Sequence, residues 1–237
     1  MLIKKTLRFK PRLIPTLFTI PALILLLVLS FWQFQRLHWK QGLIDEIKQQ
    51  SQLAVIELPE QVELTSMLYR KVKLKGEFNH AQEIHIYGGS RQFKGGVGYY
   101  IFTPMRLDNN KIIMVNRGWV PEKLKDPAAR PESLLKGQVE VEGAIMQSEK
   151  KPLYVHDNQM SRNLWFYVDL AQMQDWLNAP IENFYILAKD VPNMTPRGRD
   201  LEPNLRNHHL GYALTWLFSA IILLVIYVIY HRTPDKQ

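Results

Sequence analysis

Two apolar runs without a formal charge stand at opposite ends of the chain, Leu13 to Phe34 with 22 residues and Leu210 to Tyr230 with 21. At about 1.5 Å rise per residue, a helix of either length covers about 31–33 Å, the hydrocarbon thickness of a bilayer. Each run therefore predicts a transmembrane helix. Pro15 and Pro21 fall in the first half of the first run, where a kink or a late helix start is expected. Leu43, Ile44 and Ile47 carry the helical period past the run, so this helix is expected to continue to about Gln50.

Between the runs the period switches from 3.6 to 2. Tyr69 to Phe78 alternates basic and apolar residues, the pattern of a strand with one face in a core and one in water. Further strands are predicted at Glu83 to Tyr87, Val97 to Leu107, Lys111 to Trp119, Gln138 to Met146, Leu164 to Val168 and Phe184 to Ala188, with Asp108-Asn109-Asn110 as a hairpin turn. Gln61 to Leu68 reads as a short helix. Asp169 to Asn178 reads as an amphipathic one, with Leu170, Met173, Trp176 and Leu177 on one side. Pro121 to Pro131 is rich in charge and proline and reads as a surface loop.

The expected fold is a membrane-anchored α+β chain, with two transmembrane helices flanking a mainly antiparallel β-sheet or partly closed barrel with short helices. Its segments are a basic tail (1–12), a first span (13–35), a helical stalk (36–58), a β-rich domain (59–191), an extended linker (192–208), a second span (209–230) and a short tail (231–237).

Charge then orients the spans. The net charge is +8, but residues 1–12 hold +5 and residues 231–237 hold +1, which leaves +2 for everything between. Tails that are basic belong on the cytoplasmic side, so both termini are expected inside and the middle domain outside, as in a bacterial inner membrane protein with a periplasmic domain. The same distribution argues against a nucleic-acid partner. With no cysteine in the chain, disulfide, zinc-ribbon and thiol chemistry are excluded. The first run is longer than a signal-peptide core, and no small-residue cleavage site follows Ser30-Phe31-Trp32.

Catalytic motifs are not found: there is no H-E-x-x-H, G-x-S-x-G or G-x-x-x-x-G-K. Gly88-Gly89 and Gly95-Gly96-Val97-Gly98 flank Arg91 and Lys94, an anion nest or, between strands, a glycine-rich hairpin loop. His80 and His85 are five apart, and a period of two puts them on opposite faces as poor metal partners; His38 and His156 read as surface groups. At the mouth of the second span, helical spacing groups His209, Tyr212, Ala213, Trp216 and Ala220. Two accounts stand. His208, His209, Tyr212 and Trp216 form an interfacial belt, or His209 ligates a haem iron beside an aromatic face. Trp32, Arg36 and Trp39 share a face at the exit of the first span. In Asn116-Arg117-Gly118-Trp119-Val120-Pro121, Trp119 either caps a core while the strand turns, or Arg117 reaches an anionic group of a ligand or partner.

Four separated motifs carry a resemblance. Trp32-Gln33 with Arg36, Trp39 and Lys40, then Thr103-Pro104, then Asn116 to Pro121, then Asn207-x-His209-Leu210-x-Tyr212-Ala213-x-Thr215-Trp216 resemble, in order, the signatures of the surfeit locus protein 1 family. The likeness covers nearly the whole chain. It departs at Gly89-Ser90-Arg91, where relatives commonly carry Gly-Pro-Arg.

The resemblance implies a non-enzymatic assembly factor for cytochrome c oxidase that helps place haem a, held transiently, in subunit I, with haem a synthase a further partner. It also implies that His209 binds the haem iron, since the matching histidine of bacterial relatives is associated with haem. Tyr212 and Trp216 would then flank the ring, and Arg36 or Arg206, expected at the same membrane face, would meet its propionates. A rival reading is a scaffold that grips oxidase subunits through Arg117, Trp119 and Trp32 without ligating haem. An exported enzyme is a third.

Overall fold

The computed structural model describes residues 7–88, 96–148, 150–191, 194–198 and 207–234. The first apolar run forms one long helix, α1 (Leu13–Gln52), preceded by a short strand, β1 (Leu7–Phe9). The second forms α4 (His209–Tyr230), followed by β9 (Arg232–Pro234). Pro21 lies inside α1 without ending it. Both helices are long and apolar enough to cross a membrane, with mean hydropathy 2.4 over their most apolar windows. They keep large apolar side chains outside, among them Leu13, Phe18, Phe31, Phe218 and Ile229. That exposure is costly in water and ordinary in lipid, and is consistent with membrane anchoring.

By its contacts the chain divides into two units, Met1–Glu46 with Asn204–Gln237, and Ile47–Pro203. In the first unit α1 and α4 run antiparallel. Ser30 Oγ donates to the Ala213 carbonyl (3.0 Å), and the hydroxyls of Thr16 and Tyr227 share a hydrogen bond (2.7 Å). Ala213 and Ala220 are buried, as small residues are where transmembrane helices approach closely. At the far end β1 pairs antiparallel with β9, Leu7 opposite Pro234, so the two terminal segments lie side by side.

The second unit is built on β2 (Ile56–Glu57), β3 (Lys71–Phe78), β4 (Ile84–Tyr87), β5 (Gly98–Leu107), β6 (Ile112–Pro121), β7 (Gln138–Gln147) and β8 (Phe184–Ala188), with two short helices, α2 (Leu64–Met67) and α3 (Leu170–Leu177). The sheet order is β2-β3-β7-β8-β6-β5-β4, and a further β3–β5 pairing closes five of the strands into a barrel. This is the barrel expected from the sequence, closed through Gly76–Phe78 of β3 against β5. Most pairings are antiparallel as expected, but β2–β3 and β6–β8 are parallel.

Alternation along the strands sorts two cores. Val72, Leu74, Phe78, Met105, Ile113, Val115, Ile145, Phe184 and Ile186 fill the barrel, all five strands contributing. The opposite faces of β5, β6 and β8 send Phe102, Met114 and Tyr185 against Trp165 and α3. Helix α3 matches its sequence signals closely: the Asp169 carboxylate accepts from the Gln172 amide (3.1 Å), Asn178 ends the helix in the left-handed conformation, and Leu170, Met173 and Leu177 are buried.

One expected strand does not form. Leu164 to Val168 makes only isolated bridges, Trp165 with Ile86 and Leu164 with Gln159. Asn163 before it is left-handed (φ 45°), and the Asn158 side chain takes the Phe166 amide (2.8 Å), so a side chain satisfies backbone that a ladder would otherwise pair. The expected helix from Gln61 to Leu68 is confined to its middle, Leu64–Met67.

Among the described residues, Gly118 is the one strand position that demands glycine for its conformation. Its φ is +121°, and a Cβ there would meet the carbonyl of Arg197, whose backbone pairs with Trp119. Gly118→Ala is expected to lower the stability of the full chain in detergent by more than about 1 kcal/mol, read as a fall in the denaturant midpoint at unchanged slope.

Candidate functional site

His209 opens α4, and its neighbours come from α1. The His209 ring nitrogen Nδ1 lies 2.7 Å from Gln33 Oε1. On one side of this pair Ser30 is bonded to Ala213; on the other, the Asn207 amide donates to the Leu37 carbonyl (3.2 Å). Gln33 is only 9% exposed. With Gln33 Oε1 accepting, the ring carries its proton on Nδ1 and presents the Nε2 lone pair. Among the described residues nothing hydrogen-bonds Nε2, and His209 remains partly exposed. An imidazole with one ring nitrogen oriented and the other bare has a lone pair that could be given to a metal-containing group.

The flanking groups divide. At about 100° per residue, Ala213 and Ala220 turn toward α1, Tyr212 turns away, and His209 and Trp216 sit at the border. Ala213 is fully buried while Tyr212 is 58% exposed, so the space beside the small residue is filled by α1 and not open to a flat ligand. Trp216 is partly buried and His208 exposed. On α1 the Arg36 guanidinium lies over the Trp39 ring, 4.0 Å from its centroid, and Trp32 is half-exposed. Arg206, Arg91, Lys94 and most of the glycine-rich loop fall outside the described residues.

Arg117 and Trp119, expected as partner anchors, both point inward. They are 8% and 5% exposed. Trp119 Nε1 donates to the Gly88 carbonyl (2.9 Å), as the core-capping account of that motif predicts. Arg117 stacks on Phe78 (4.9 Å to the centroid), donates to the Ser133 carbonyl, and lies 3.4 Å from Glu83 Oε1. The anion that Arg117 meets is therefore within its own chain.

Glu83 was not singled out by sequence, nor was Arg130, which is wholly buried and ion-paired with it. Arg130 also donates to Ser133 Oγ (2.9 Å) and the Leu124 carbonyl (3.0 Å), tying the segment after β6 to the start of β4. His80 and His85 are brought to the same carboxylate, at 3.4 and 3.7 Å, although alternation had placed them apart. The period-two reading fails because His80 lies in a helical turn, His80–Gln82, before the strand begins. His80 Nε2 is 2.9 Å from the Leu135 carbonyl, which leaves Nδ1 to accept from Arg117. Burial alone would raise the Glu83 carboxyl; His85, Arg130 and Arg117 outweigh it and hold the carboxyl at about 2, below its ordinary 4.5. Burial lowers Arg117 to about 10 against the attraction of Glu83, with Arg130 adding to the lowering. No group of three or more His, Cys, Asp or Glu among the described residues could hold a metal ion.

Comparison with known proteins gives a consistent result. A family model described as the SURF1 family matches residues 20–221. The chain is 36% identical over 213 residues to a SURF1-like protein of Rickettsia felis, covering 88% of this chain and 92% of the relative. It is 33% identical over 204 residues to surfeit locus protein 1 of Takifugu rubripes, 79% of this chain and 85% of that one. It is also 33% identical over 205 residues to a SURF1-like protein of Drosophila melanogaster, 79% and 68% of the two chains.

The Glu83 cluster has a pH signature. Because the folded carboxyl lies at about 2 and the unfolded one near 4.5, its stabilisation is complete above about 4.5 and is lost as pH falls toward 2. The loss amounts to about 3 kcal/mol. Glu83→Gln leaves two buried guanidinium groups without their carboxylate and is expected to cost about 3–5 kcal/mol at neutral pH. Its stability should then vary less than that of the native chain between pH 4.5 and 2, as followed by denaturant titration.

Proposed function

Because the chain belongs to the SURF1 family, we propose that it is a membrane-anchored, non-enzymatic assembly factor for a haem-copper oxidase, helping to deliver haem a to subunit I. The observation that carries the reading is the His209–Gln33 pair: a histidine at the end of an apolar helix, one ring nitrogen held at 2.7 Å by a buried amide and the other without a partner among the described residues. The haem would supply an iron able to accept a lone pair from a protein side chain. His209 would give that lone pair through Nε2. Trp216, partly buried at the border of the helix pair, and Tyr212, on the open side, would offer aromatic surface to the ring, and Arg36 a charge for a propionate.

A carrier has to release what it holds. A single protein ligand at a helix end suits that task better than two ligands within a closed pocket, because fewer bonds have to break together. In this reading the hairpin sits in a bacterial inner membrane with both termini inside, on the basis of the basic tails and the β1–β9 pairing that sets the terminal segments side by side. The domain between the spans then faces the periplasm, where oxidase subunit I and haem a synthase are the expected partners. The scaffold reading loses two of its anchors, since Arg117 and Trp119 are buried; it would have to use exposed groups such as Trp32, Leu153 or Tyr154.

Protein purified from cells that make haem a is expected to carry a haem absorption spectrum, and His209→Ala to lose most of it. Full haem occupancy in the variant would overturn the ligand assignment. Cysteine accessibility mapping, clean in a chain without native cysteines, is expected to place position 209 at the outer face; labelling only from the cytoplasm would overturn the orientation.

A further inference from the structure

We propose that Gln33 is the positioning residue for His209: its amide oxygen holds the imidazole as the Nδ1–H tautomer and aims Nε2 outward as the donor atom. The use made of that donor rests on the haem reading above, whereas the tautomer itself does not.

Gln33 stands in the first apolar run, 9% exposed, where an amide without a partner costs free energy that lipid cannot return. Among the described residues its hydrogen-bonding partner is His209 Nδ1, at 2.7 Å. The pair cannot slide past one another. Ser30 is bonded to the Ala213 carbonyl toward one side and Asn207 to the Leu37 carbonyl toward the other, so both helices are held in register around it. Ala213, fully buried, brings the backbones close at this level. The histidine backbone is held too, its amide 3.4 Å from Asn207 Oδ1.

The chemical consequence concerns which nitrogen bears the proton. A free neutral imidazole favours the proton on Nε2, which leaves Nδ1, hemmed in by its own backbone, as the bare donor. An acceptor facing Nδ1 reverses this and leaves the sterically open nitrogen bare. Hydrogen bonding at Nδ1 also makes the opposite nitrogen a better donor, the usual arrangement behind a metal-ligating histidine. Gln33 thus converts an interfacial histidine into a ligand-ready one while remaining neutral inside the apolar layer.

The test has two readouts. In the whole 237-residue chain without haem, labelled with nitrogen-15 in its histidines and held in detergent micelles, the His209 resonances are identified by their loss in His209→Gln. The expected result is the Nδ1–H pattern in the native chain and a shift toward Nε2–H in Gln33→Leu. A native chain already in the Nε2–H form, or a tautomer indifferent to Gln33→Leu, overturns the proposal. A side chain that merely braced the helices would not move this signal.

The second readout is titration with haem. Gln33→Leu is expected to weaken binding about 10–100-fold. Gln33→Glu, which keeps an acceptor at Nδ1, is expected to retain binding and to lower the reduction potential of the bound haem. If the Nδ1–H tautomer is found but haem occupancy is unchanged in His209→Ala, the haem reading fails while the tautomer assignment stands.

Discussion

A polar atom inside an apolar layer must be answered by another polar atom of the same molecule, and the helical hairpin is organised by that requirement. Helix α1 brings Thr16, Ser30 and Gln33 into its span; α4 answers with Tyr227, the Ala213 carbonyl and His209. Lipid offers no competing donors or acceptors, so each pairing fixes the relative height of the two helices. Dispersion between the small residues Ala213 and Ala220 and the facing helix supplies close approach, but it is indifferent to small slides. The hydrogen bonds are not, and the orientation of His209 follows from them.

The barrel unit meets the same requirement with charge. Glu83 is buried beside β4 and stays ionised because His85, Arg130 and Arg117 face it. Such a cluster yields little net stability against a well-packed apolar substitute, since all three charges are taken from water. It does specify where the irregular segment after β6 must lie, because Arg130 reaches Glu83, Ser133 and the Leu124 carbonyl at once. Apolar packing of that segment would leave its position far less defined. The same cluster gives Arg117 a carboxylate partner within its own chain.

These two arrangements divide the functional question. The barrel's most conspicuous charged groups are consumed internally, and its motif tryptophan is bound to the Gly88 carbonyl. In the hairpin one ring nitrogen is consumed and its twin is left over. A residual donor atom held in a defined direction is the feature on which the proposed role rests.

Much of the architecture is readable from periodicity. Two uncharged runs of helix-spanning length, strands such as Phe184–Ala188, and an α3 announced by Asp169 and closed by Asn178 are all local properties, decided by residues a few positions apart. The misreadings arise where a side chain overrides the local pattern: Asn158 takes the backbone of the supposed strand after Asn163, and a helical turn at His80 cancels the alternation that separated it from His85. The sequence alone determined that His209 stands at the end of a span and that Arg117 closes a hydrophobic strand. Only the tertiary structure decided that Gln33 faces His209 and that Glu83 receives Arg117, because such pairings join residues 176 and 34 positions apart. No period or propensity encodes them; they exist once packing has removed the water that would otherwise satisfy each group separately.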